Sequence, residues 1–380
     1  MEEVDVARRI PNVFTVFGTR PEAVKMAPVV KALEGCPEIN STVCITGQHR
    51  QMCLDVLRSF GIDPRIDLGI IRVNQTLTTI TCDVLERLDD VFNKKHPDLV
   101  LVHGDTSSSM AAALAAFYRH IPVGHVEAGL RSGNRYSPFP EEMNRRLISR
   151  LATLHFAPTE GNARFLADEG ISDQVIVTGN SVIDSFAYTV RPDYQFKEPI
   201  LSQLDFSQRI VLVTAHRREN WGRNLEAICS SITELGCEFP DIRFVYPVHP
   251  NPIVHDAVHR LLGNDSHVIL TGPIDILDMH NLLPRIHLVM TDSGGLQEEA
   301  PHFGKPVAVL RMETERPEAI EVGTAILVHP DTHTIVEEVG ALLRDSARYA
   351  AMAHAVNPYG DGHASERILR AVASFLDCER

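Results

Sequence analysis

The sequence predicts an α/β protein of two doubly wound domains, each a parallel sheet covered by helices on both faces. Short apolar, β-rich runs alternate with helical stretches along the chain, the order of elements that parallel sheets require. The rhythm breaks once and then restarts. At 380 residues the chain also exceeds what one core organises, roughly 250–300 residues. The first domain is read over 10–189, with strands in "NVFTVFG", "STVCITG", "DLVLVHGD", "PVGHVEAG", "LHFAPT" and "VIVTGN". Between them, "TLTTITCDVLERLDDVFNKKH" and "SSSMAAALAAFYRH" read as helices. Residues 190–208, with two prolines and mixed polar side chains, read as a linker. The second domain, 209–360, holds "RIVLVTAH", "DIRFVYPVH", "HVILTG", "IHLVMTDSG", "KPVAVLR" and "TAILVHP". A last helix, 364–377, is expected to cross back onto the first domain.

Composition excludes several classes. Apolar content of 44% and charged content of 23% are those of a globular protein. A net charge of −14 argues against nucleic acid, which needs an extended basic face. The seven cysteines are odd in number and lack a CxxC pair, which fits reduced thiols in a cytoplasm better than a disulfide framework. The acidic opening "MEEVDVARRIPN" predicts no secretory signal, and no apolar run approaches the ~18–20 residues of a membrane span. The expectation is a cytoplasmic protein.

Polar residues gather where strands end, the position at which doubly wound sheets bind ligands. In "FGTRPEAVKMAP", Gly18 permits a tight turn, Pro21 suits a first helical turn and Arg20 stands where that helix begins. This is either a diphosphate site or a structural turn with a surface arginine. In "TDSGGLQEEAPHFGKP", Gly294 and Gly295 let backbone amides approach an anion, Ser293 offers a hydroxyl, and Glu299 suits a sugar's hydroxyl pair. The alternative is an ordinary capped helix. "METERPEAIEVG" adds Arg316, and "VTAHRREN" sets His216 between a strand end and two arginines. Asp105 in "HGDTSSS" is a ligand-facing acid or a helix cap. "YPVHPNP" forms a rigid turn carrying His249. From His125 to Leu147 the chain mixes Glu127, Glu141 and Glu142 with four arginines, either as mutual neutralisation or as acids held for proton transfer. Neither G-x-G-x-x-G nor GxxxxGK[ST] occurs, so no dinucleotide cofactor or P-loop is expected. No His, Cys, Asp or Glu group has firm metal spacing.

Together "VFGTRPEAVKMAP", "LVHGDTSSS", "GHVEAGLRSG…SPFPEEMNR", "VTAHRREN", "YPVHPNP", "TDSGGLQEEAP", "GKPV…RPEA" and "NPYGDGHAS" resemble the bacterial non-hydrolysing UDP-N-acetylglucosamine 2-epimerases, from Asn12 to the C-terminal helix. The related hydrolysing epimerases do not share the "VEAGLRSG…PEEMNR" block. The resemblance implies two Rossmann-like domains facing across a cleft, as in GT-B glycosyltransferases. It implies interconversion of UDP-N-acetylglucosamine (UDP-GlcNAc) and UDP-N-acetylmannosamine (UDP-ManNAc) through loss of UDP to 2-acetamidoglucal and its re-addition. No cofactor is implied, and a homodimer is. Asp105, Glu127 and Glu141 match the carboxylate set, and His216 their companion at the diphosphate. Arg20, Lys25, Ser293, Gly294, Gly295, Glu299 and Arg316 match nucleotide- and sugar-binding positions.

Some similar members bind a second UDP-GlcNAc as an activator. The matching positions are Gln48, Gln51, Glu141, Arg217 and His249, with Gln75 kept, but Asn74 stands where those members carry an arginine. The competing readings are a glycosyltransferase of the same fold and a catalytically silent nucleotide-sugar sensor.

Overall fold

The computed structural model describes residues 9–72 and 75–378, and by backbone contacts they form two units. The first runs to Tyr188 and resumes at Tyr359; the second is Thr189–Pro358. No described helix is long and apolar enough to cross a membrane.

Unit 1 alternates β1 (Asn12–Phe17), α1 (Arg20–Glu34), β2 (Asn40–Ile45), α2 (Arg50–Ser59), β3 (Ile66–Asp67), α3 (Leu77–Lys95), β4 (Leu99–His103) and α4 (Ser107–Tyr118). It continues through β5 (Val123–Val126), α5 (Glu141–Leu151), β6 (Leu154–Ala157), α6 (Glu160–Asp168), β7 (Val175–Val177) and α7 (Ser181–Thr189). All strands are parallel, in the order β3-β2-β1-β4-β5-β6-β7. Every residue of β4 is buried, which is why "LVLVH" reads as a continuous run and not as an alternation. On one face, Phe14 meets Phe92 of α3 edge-on at 5.9 Å. There Val100 and Val102 pack against the buried alanines of α4, whose small side chains favour the helix and let it lie close to the sheet.

Unit 2 repeats the plan. It runs β8 (Arg209–Thr214), α8 (Arg223–Glu238), β9 (Ile242–Pro247), α9 (Pro252–Leu262), β10 (Val268–Thr271), α10 (Ile276–Leu282), β11 (Leu288–Thr291) and α11 (Gly294–Glu299). Then follow β12 (Val307–Leu310), α12 (Pro317–Glu321), β13 (Ala325–Val328), α13 (Thr332–Arg344) and α14 (Ser346–Ala353). Its sheet order is β10-β9-β8-β11-β12-β13, and its core joins Val211, Val213, Phe244, Tyr246 and Met290 to Ile232 and Leu235 of α8. Residues 190–208 are tied into this unit. The buried Asp278 accepts from the Tyr194 hydroxyl at 2.8 Å and from the amides of Lys197 and Glu198 at 3.0 and 2.9 Å.

The final helix, α15 (Ala364–Cys378), lies against α1 in unit 1. Asp184 accepts from the Ala364 and Ser365 amides at 3.2 and 2.7 Å, satisfying donors that a helix start leaves open. In each sheet the strand order reverses once, between β1 and β4 and between β8 and β11. Ligands of doubly wound folds bind outside the strand ends at such a reversal.

Candidate active site

At the reversal of unit 1, β1 runs into Gly18, Thr19 and Arg20. A side chain at Gly18 would put its Cβ 2.0 Å from the Thr46 hydroxyl, so only glycine lets β1 leave the sheet this closely. Glu22, buried in the first turn of α1, accepts from the amides of Gly18 and Thr19 at 3.0 and 2.7 Å. Its other oxygen accepts from the hydroxyls of Thr106 and Ser109 at 2.8 and 2.6 Å. One carboxylate thus joins the loop after β1 to the start of α4. Arg20 is half-buried and makes no hydrogen bond or ion pair with a described residue. It is a cation with no carboxylate partner among the described residues.

Asp105 follows β4. Thr106, not Asp105, caps α4, by accepting from the Ser109 amide at 3.0 Å. Asp105 Oδ2 accepts from Arg145 Nε and Nη2 at 2.9 and 2.7 Å, while Asn144 Nδ2 donates to its carbonyl at 2.8 Å. These contacts fix α5 beside Asp105. Glu141, half-buried in the first turn of α5, forms no hydrogen bond or ion pair with a described residue. Its neighbour Glu142 is fully buried and accepts from the Ser132 amide at 2.9 Å and Arg146 Nε at 3.0 Å. Of two adjacent glutamates, one is scaffold and one is unengaged.

Glu127 follows β5 with φ of 65°, a left-handed conformation that costs a non-glycine residue about 1–2 kcal/mol. Its Oε2 accepts from Lys25 Nζ, and His103 Nε2 lies 3.1 Å from the same oxygen. Burial alone would raise the Glu127 carboxyl, but the Lys25 ammonium, and after it His103, hold it well below the usual carboxylate range. It is an anion. His125 on β5 lies with Nε2 2.8 Å from the Gly104 carbonyl. Burial pushes that imidazole down to about 3, so it is neutral and donates to the carbonyl that precedes Asp105.

Gln48 accepts from the Ser108 hydroxyl at 2.8 Å, near the loop after β4. Gln51 donates to Asp55 within α2 at 2.8 Å, and Gln75 donates to the Ile70 carbonyl. Asn74 lies outside the described residues.

At the reversal of unit 2, a fully buried Asp292 organises the loop after β8. Its Oδ2 accepts from the amides of His216 and Arg217 at 2.8 and 2.9 Å and from Asn220 Nδ2 at 3.0 Å. His216 stacks on His249, centroids 5.2 Å apart and planes 6° apart. Burial lowers the His216 imidazole below its ordinary value, against the raising effect of Asp292. His216, His249, Ser293 and Glu299 line one cavity of about 250 Å³, whose other walls are mainly apolar: Pro247, Val248, Pro273, Ile274, Ile276, Met279 and Leu296. It has the form of a small-molecule pocket, an apolar slot with a few polar groups.

Arg217 and Arg316 are drawn together by Glu315, its Oε1 lying 3.3 Å from one and 3.1 Å from the other. Arg311 donates to its Oε2 at 2.5 Å. Burial would raise the Glu315 carboxyl, but Arg316, Arg217 and Arg311 bring it down to about 2. Arg316 also donates to the buried Glu298 at 2.7 Å. A Cβ on Gly294 would come 2.6 Å from the Arg316 guanidinium. Gly294 therefore admits the arginine beside the helix start.

A family model described as UDP-N-acetylglucosamine 2-epimerase matches residues 31–373. The chain belongs to the UDP-N-acetylglucosamine 2-epimerase family. The epimerase of Bacillus subtilis is 50% identical over 359 residues, 94% of each chain. The epimerase of Neisseria meningitidis, whose crystal structure is bound to UDP-GlcNAc, is 46% identical with a TM-score of 0.88, over 96% of this chain and 100% of that one. The glycotransferase of kitacinnamycin, 13% identical over 96% of this chain and 100% of its own, shares the fold alone, with a TM-score of 0.62. Within this epimerase fold, sequence reading missed Glu22, His103, Asp292 and Glu315. The T-x-x-E spacing of Thr19 and Glu22 is a capping-box signal that could have marked Glu22. His103 was visible only as a histidine closing an apolar strand.

Proposed function

We propose that the chain is a non-hydrolysing UDP-GlcNAc 2-epimerase, interconverting UDP-GlcNAc and UDP-ManNAc. What supports this reading is that Asp105 and Glu127 follow adjacent strands of unit 1, Glu127 paired with Lys25, while Glu141 opens the helix whose Arg145 holds Asp105. The C2 proton of a UDP-sugar has no neighbouring carbonyl to acidify it. Breaking the C1–O bond, with its electron pair leaving on UDP, makes C1 oxocarbenium-like and the C2 proton acidic. A carboxylate takes that proton, and the C–H electrons close the C1=C2 bond of 2-acetamidoglucal. Protonation of C2 from the other face and return of the UDP oxygen to C1 complete the inversion. Anions stabilise the cationic stage and move protons, and cations hold the diphosphate.

In this reading Asp105, Glu127 and Glu141 serve the sugar, while Arg20, His216 and Arg316 serve the diphosphate. The apolar cavity takes the uracil, with Glu299 on the ribose hydroxyls and Ser293, Gly294 and Gly295 at the phosphates. The same reading carries a cytoplasmic homodimer supplying N-acetylmannosamine-type sugars for cell-surface polysaccharide. Gln48, Gln51, Gln75, Arg217 and His249 remain the proposed activator positions.

Incubation with UDP-GlcNAc alone, without nicotinamide and with a chelator present, should give UDP-ManNAc at a rate the chelator leaves unchanged. Absence of turnover until a sugar acceptor is added would favour the glycosyltransferase reading. Arg20→Ala should bind UDP more weakly by about 1.5–3 kcal/mol, the worth of a charge-assisted contact, or roughly 10–150-fold. Because Arg20 forms no ion pair with a described residue, the fold should be unaffected. Titration calorimetry and circular dichroism check both points; unchanged UDP affinity removes Arg20 from the site.

A further inference from the structure

The last residue of β4 and the first residue beyond β5 meet through their side chains, because the register sets His103 opposite Val126. His103 is 4% exposed. Its Nε2 lies 3.1 Å from Glu127 Oε2, the oxygen that also receives Lys25. Two lone pairs facing at that distance would repel, so Nε2 carries the proton. Both ring nitrogens are buried, and the 3.1 Å approach of Nε2 to the Glu127 carboxylate is the ring's one polar contact among the described residues. His103 directs Nε2 at a carboxylate whose backbone is held in a left-handed conformation. Glu127 Oε1 accepts no hydrogen bond from a described residue.

We propose that His103 is a positioning residue for the reaction: with Lys25 it engages Glu127 Oε2 and thereby reserves Oε1 for the substrate. This rests on the epimerase reading above. His125 performs the reciprocal service from the neighbouring strand, donating to the Gly104 carbonyl before Asp105. Each of the two strands thus sends an imidazole to the acidic end of the other. A carboxylate with both oxygens free would rotate about its last bond, and misplacing a reacting atom by about 1 Å costs on the order of 10²-fold in rate.

The test compares native protein, His103→Phe and His103→Gln. Phenylalanine fills the space without the Nε2–H; glutamine supplies an N–H at the equivalent distance. We expect kcat in His103→Phe to fall on the order of 10²-fold, with KM and UDP affinity within about twofold and a melting temperature no lower than native. His103→Gln should recover most of the loss. Separately, in native protein labelled with ¹⁵N-histidine, NMR should show His103 as the Nε2–H tautomer, its signal moving in Glu127→Gln. Native protein inactive on UDP-GlcNAc would defeat the epimerase reading, while the labelled spectrum still decides whether His103 donates to Glu127. An active native protein with undiminished kcat in His103→Phe overturns the positioning role. So does a His103→Phe variant that fails to fold, or an Nδ1–H tautomer in the spectrum.

Discussion

Glu141→Gln should lower turnover by about 10²–10⁴-fold, the range for lost acid–base catalysis, at an unchanged melting temperature. Glu141 stands in the first turn of α5, half-buried and unpaired among the described residues. Removing its charge breaks no ion pair and strips no hydrogen bond among the described residues. The only loss is its favourable position at a helix N-terminus, about 0.3–1 kcal/mol at most. Asn144 and Arg145 still hold the helix against Asp105, so the carboxylamide occupies the same place with no proton affinity. Steady-state kinetics beside a melting curve check this. Near-native turnover would take Glu141 out of the chemistry.

Glu142→Ala, one residue on, should do the reverse to the fold. Glu142 is fully buried and accepts from the Ser132 amide and Arg146, with Arg145 Nη1 3.5 Å away. Its removal leaves a buried guanidinium with one partner fewer and an unpaired amide, a change of about 3–5 kcal/mol. Urea unfolding followed by the far-ultraviolet signal should show an earlier midpoint. Activity should also fall, since Arg145 is the residue that holds Asp105. A Glu142→Ala variant as stable as native would mean that the acids and bases of this stretch do not neutralise one another as the contacts indicate.

These adjacent glutamates show how far the sequence was legible. That "PEEMNRR" mixes acids with bases was plain, but a string of residues does not reveal which of two consecutive side chains a helix turns inward. The strands of unit 2 were all visible as apolar runs. In unit 1, β3 was not, because it is two residues long and lies at the sheet edge, too short for any pattern. Sequence reading treated Glu127 and Glu141 alike; the structure separates them, one paired with Lys25 and the other unengaged. Residues 190–208 looked like a linker because their anchor, Asp278, lies about eighty positions away. Of the arginines read as balancing the acids of 125–147, Arg145 and Arg146 do pair with Glu142, and Arg145 also with Asp105. Arg131 pairs with Glu169, outside that stretch, and in unit 2 Arg217, Arg311 and Arg316 converge on Glu315. Such partners are brought together by topology and carry no local signal.

Proton NMR of the protein with UDP-GlcNAc in deuterated water decides whether a carboxylate removes and restores the C2 proton around a glycal stage. UDP-ManNAc should form carrying deuterium at C2, with deuterium entering the C2 position of the UDP-GlcNAc pool as equilibrium is reached. UDP-ManNAc formed with its original C2 hydrogen fully retained would contradict it.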